Sequence, residues 1–100
     1  FMSPQQQYRP VTDEMPADVR SSLRQLLSEA RDAATAGDTD TAEALLESAH
    51  TVATNKLPEG TRRARLRHGC LSATEALPDG TLAVAYIAAM ERRLPSGNRS

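Results

Sequence analysis

The chain has 100 residues and a formal net charge of −1, enough for one small domain and too little for a large enclosed cavity. Sixteen residues are Ala and 11 are Leu, against four Val, one Ile and no Trp, and aromatics are 3%. So little β-branched and aromatic side chain excludes a β-sandwich or barrel and predicts an all-α fold, while near-neutral charge gives no general attraction to a polyanion.

Residues 1–14 are rich in Gln and Pro and lack periodicity, which predicts a disordered tail ahead of one helical domain over 15–95. The first helix is expected over 16–36, with Pro16 at its first position and Asp18 at the positive end of the dipole. Val19, Leu23, Leu26, Leu27, Ala30 and Ala34 form its apolar stripe, and Gly37 takes the left-handed position beyond its end. The second helix is expected over 40–55. Asp38, Thr39 or Asp40 caps it, and Asp40 with Glu43 has the spacing of a capping box. Ala42, Leu45, Leu46, Ala49, Val52 and Ala53 make its stripe. A link of about three residues forces the first two helices into an antiparallel hairpin.

The third helix is expected over 58–76, opening on Pro58 and Glu59. Leu66, Cys70, Ala73 and Leu77 carry its stripe, with Leu71 and Ala64 beside it. Gly69 in mid-helix costs roughly 1 kcal/mol against Ala, which points to close approach of another helix. Pro78, Asp79, Gly80 and Thr81 read as a turn with Asp79 as N-cap, and a fourth helix follows over 80–94. Its residues 82–90 are apolar on every side, as expected of a helix central in the fold or half-covered by a second molecule. Residues 96–100 read as a frayed end.

Four helices in two antiparallel α-hairpins therefore close as a four-helix bundle or stack as a short solenoid. Gly37 and Asp38, followed by Ala42, Leu46 and Ala49, resemble the second-helix signature of tetratricopeptide repeats. Ala83, Ile87, Met90 and Pro95 repeat the pattern, including the closing proline. Leu26 and Ala33 stand at the repeat's aromatic positions, and Thr54 stands where its proline belongs. The resemblance implies stacked hairpins with a groove between the first and third helices for a partner helix or peptide.

Chemistry is sparsely marked. Cys70 falls on an apolar stripe, which reads as core filler rather than a nucleophile. His68 and Cys70 point to different helix faces, and His50 has no ligand partner other than acids. No phosphate loop, nucleophile elbow or zinc-protease motif is present, so neither enzyme, cofactor nor metal is expected. A single cysteine and the lack of an apolar leader fit a cytoplasmic protein. The longest apolar run is nine residues, where a membrane span needs about 20. Eleven Arg against one Lys, with abundant Ala, fit a GC-rich bacterial source.

Charge asymmetry is the strongest functional signal. Residues 11–50 carry nine acids and three bases, giving −6, and residues 51–100 carry four acids and eight bases, giving +4. Arg62, Arg63, Arg65 and Arg67 crowd two turns of the third helix, and Arg92 and Arg93 end the fourth. These six are the candidate partner-binding residues. The expectation is a small non-catalytic protein–protein interaction module, an adaptor or regulator, that contacts an acidic partner surface. One alternative is a nucleic-acid-binding transcriptional regulator using the same arginines. Another is a small-molecule sensor or enzyme accessory subunit. The surplus apolar face of the fourth helix suggests a homodimer that buries Val84, Tyr86 or Ala88.

Overall fold

A computed structural model describes residues 15–94. The expected tail over 1–14 and the expected end over 96–100 lie outside the described residues. Four α-helices account for most of the rest: α1 (Ala17–Thr35), α2 (Thr39–Lys56), α3 (Thr61–Ala76) and α4 (Gly80–Arg93). The all-α expectation holds, and no described residue forms a strand.

Local chemistry sets the helix ends. Gly37 adopts φ +82°, its N–H donates to the carbonyl of Ala34, and the Asp38 N–H donates to that of Ala33. This paired closure satisfies two carbonyls that the end of α1 would otherwise leave open. Asp38 then caps α2, its carboxylate accepting from the Thr41 N–H at 3.3 Å. The capping-box expectation is corrected: Asp40 lies inside the helix rather than at the cap. Asp79 caps α4 as expected, accepting from the Leu82 N–H at 3.2 Å. The third helix begins at Thr61 rather than 58, because Gly60 takes φ +153° and ψ −177°, far from helical values. Pro58 and Glu59 belong to the connection before it.

Connections of three or four residues make consecutive helices antiparallel. Each helix packs against two others, α1 with α2, α2 with α3, α3 with α4 and α4 with α1. The ring is a closed four-helix bundle. A repeat stack would instead lay α1 beside α3, but here those two sit on a diagonal, so the groove expected between them is not formed.

Bundle periodicity accounts for the core. Ala42, Leu46, Ala49 and Ala53 of α2 are buried, stepping by four, three and four. Leu66, Cys70, Ala73 and Leu77 repeat these steps along α3 and its C-cap, and Ala83, Ile87, Met90 and Leu94 repeat them along α4 and its C-cap. That alternation keeps one seam facing inward along the bundle. The many alanines bring the helices close. A Cβ on Gly80 would lie 3.0 Å from the carbonyl oxygen of Ala34, which shows how tightly α4 closes on α1. Gly69 plays the part expected of it: a Cβ there would lie 2.5 Å from the Met90 sulfur. Leu26, Leu45 and Val52 are only half-buried at the edges of the stripes, and Leu71 and Ala64 are exposed. Met15, Leu57 and Leu94, which flank the helices, complete the core.

Candidate functional site

The outer faces of α3 and α4 form an open groove of about 1080 Å³. Leu66, Ala64, Gly69, Ala89 and Met90 contribute apolar surface to it, and Arg62, Arg65 and Arg93 its positive charge. His68, Ser72 and Tyr86 add polar atoms, and no carboxylate lines it. Ser72 Oγ lies 3.4 Å from His68 Nε2. Tyr86 is 41% exposed, so its phenol is open to solvent rather than sealed in the core.

Helical geometry explains which arginines meet here. At 100° per residue, Arg62 and Arg65 project from the flank of α3 that faces α4. Arg63 and Arg67 project from the opposite flank, toward α2. The arginine run is therefore divided over two faces, and Arg63, Arg67 and Arg92 do not line the groove. Arg62 has a further role. Its Nη1 donates to the main-chain carbonyl of Arg93 at 3.1 Å, tying the start of α3 to the end of α4. This satisfies one of the carbonyls left open at a helix C-terminus.

The acidic hairpin does not neutralise these cations. Among the described residues, none of the six candidate arginines forms an ion pair. The salt bridge between the halves runs the other way, from Arg31 Nη1 on α1 to Glu91 Oε1 on α4 at 2.8 Å. Arg62 Nε and Arg67 Nε are shielded from solvent without a hydrogen-bond partner among the described residues.

Cys70 lies behind the groove. Its thiol is buried, 4.0 Å from the Met90 sulfur, and burial pushes it up to about 12. At neutral pH it is a protonated, shielded thiol with no base beside it, a poor nucleophile. No group of three potential metal ligands exists among the described residues.

Of the groove's polar residues the sequence did not single out Ser72, and it drew attention to His68 only as a metal ligand and to Tyr86 only as a dimer contact. The all-round apolarity of α4 was a signal for Tyr86, since a helix in a ring of four buries only one stripe. On α4, Ala83, Ile87 and Met90 are buried while Leu82, Ala85 and Tyr86 stay exposed. No described helix is long and apolar enough to cross a membrane.

A family model matches residues 9–96, a span that takes in all four helices and both faces of α3. The chain belongs to the DUF8101 family. That family is described as a domain of unknown function. No curated protein and no solved structure matches the chain significantly.

Proposed function

We propose that this DUF8101 domain is a non-catalytic interaction module, an adaptor or regulator, whose α3–α4 groove takes an acidic amphipathic segment of another protein. The observation that carries this reading is the groove's composition: three arginines beside apolar surface, with no carboxylate among its lining residues. An apolar ridge of the partner would lie against Ala89, Met90 and the ring of Tyr86. Its carboxylates would reach Arg65 and Arg93, whose guanidinium groups pair well with carboxylates. Tyr and Arg are the residue types that most often dominate binding energy at interfaces.

The alternative of nucleic-acid binding has less support. The exposed face of α4 offers Leu82, Ala85 and Tyr86 where a reading helix needs several polar side chains. Net charge near zero also leaves little non-specific attraction to phosphate.

The test is fluorescence anisotropy with a labelled helical peptide bearing Leu on one face and Glu on the other. The intact protein is expected to bind it. Paired reversal of Arg65→Glu and Arg93→Glu should weaken binding by about tenfold or more, equivalent to at least roughly 1.4 kcal/mol. Circular dichroism should remain unchanged, because both side chains lie outside the core. Equal binding of a peptide with Lys in place of Glu would overturn the reading. Tighter binding to a short DNA duplex, lost steeply with salt, would overturn it in favour of nucleic acid.

A further inference from the structure

The second face of α3 carries a different pattern. Arg63, Arg67, Leu71 and Glu75 succeed one another at intervals of four residues, and Asp79 continues the order into the turn. Such a series forms a single ridge along a helix surface. Read along the ridge within α3, the chemistry runs basic, basic, apolar, acidic. Leu71 stands at its midpoint and is the most exposed large apolar residue described, at 56%. Arg67 and Glu75 lie one turn of α3 to either side of it. None of these four charged residues forms an ion pair with a described residue. Asp79 uses one carboxylate oxygen, Oδ1, to cap α4.

An order that reads as its own complement when reversed is what a two-fold symmetric contact requires, because each residue then meets its counterpart across the axis. We propose that the protein forms an antiparallel homodimer through α3, with Leu71 meeting the partner's Leu71 on the two-fold axis. In this arrangement Arg67 faces Glu75 of the partner subunit, and Glu75 faces the partner's Arg67. Ridges of residues four apart pack against each other at a crossing angle of about −50°, the commonest helix packing. The exposed face of α4, which the apolarity of residues 82–90 first suggested for a dimer, lacks this self-complementarity. Glu91 is already held by Arg31, so a two-fold axis there would set Arg92 and Arg93 opposite no free carboxylate of α4. Arg62, Arg65 and Arg93 of the α3–α4 groove lie off this ridge, although Ala64 and His68 at the groove's edge lie beside Leu71, and solution mass and peptide anisotropy read the two proposals separately.

Solution mass measured by light scattering on the full chain tests the proposal. The intact protein is expected to be a dimer that weakens as salt is raised. Arg67→Glu alone puts only acids on both sides of the axis, and Glu75→Arg alone puts only bases there. Each variant should be monomeric and fully helical. Mixed in equal amounts, the two should recover the dimer mass, since every charge of one chain then meets its opposite in the other. A monomeric intact protein would overturn the proposal. So would a dimer that survives both reversals, or a mixture that stays monomeric. A second readout does not depend on the charge variants folding. In a Cys70→Ala background, Leu71→Cys should oxidise rapidly to a covalent dimer, while Tyr86→Cys should not. Equal rates at the two positions would contradict an axis at Leu71.

Discussion

Cys70 shows how one side chain's setting fixes its chemistry. It was legible in the sequence as a member of an apolar stripe, and the fold buries it against Met90. Two outcomes follow. A thiol reagent should fail to label the native protein at neutral pH and label it promptly once unfolded, whereas fast native labelling would contradict a sealed core. The thiol also makes stability depend on alkaline pH. Its folded value is about 12, against 9.0 for the free group. Below about pH 9 both states keep the proton and the thiol adds no pH dependence. Between those values the unfolded chain loses the proton while the folded chain holds it, so stability falls as pH rises. The slope approaches roughly 1.4 kcal/mol per pH unit. Urea denaturation of intact protein and Cys70→Ala, from about pH 8 to about pH 10, should show the gap between them changing in that direction. A constant gap would contradict the assignment.

Helix ends are decided by few atoms, and they divide what the sequence reveals from what it conceals. Asp38 and Asp40 both had the chemistry of a cap, and Asp40 had the better spacing with Glu43. The left-handed Gly37 decided between them, because closing α1 there leaves Asp38 as the first residue positioned to accept from the next turn. Asp38→Ala should therefore cost about 1 kcal/mol of stability, and Asp40→Ala only a few tenths. Equal losses in thermal denaturation would argue against this cap. The start of α3 was misplaced for a related reason. Pro58 suits the first turn of a helix, but Gly60 is extended, with φ +153° and ψ −177°, so no helix runs through it, an effect that hydrophobic spacing does not encode. The apolar stripes themselves were legible, because steps of four and three leave no other secondary structure. Their half-buried members, Leu26, Leu45 and Val52, depend on how wide each seam is once neighbours arrive.

At the scale of the whole molecule, two hairpins were legible and their arrangement was not. Tight turns dictate antiparallel pairs, yet a closed ring and a repeat stack share those local signals. What separates them is whether α1 packs beside α4 or beside α3, a relation between residues some sixty apart, such as Arg31 and Glu91. The arginine run suffered the same ambiguity. Its residues could be sorted into two faces by periodicity alone, but which face borders α4 emerges only from the closed ring. That border is what unites Arg62 and Arg65 with Arg93 and Tyr86. We propose that this groove, and not the arginine run as a whole, receives an acidic partner. The measurement that tests it most directly is an amide NMR titration with the Leu/Glu helical peptide. Shifts should concentrate at Arg65, Gly69, Tyr86, Ala89 and Arg93, with α2, Arg63 and Arg67 unmoved. Shifts centred on Arg63, Arg67 and α2 instead would contradict it.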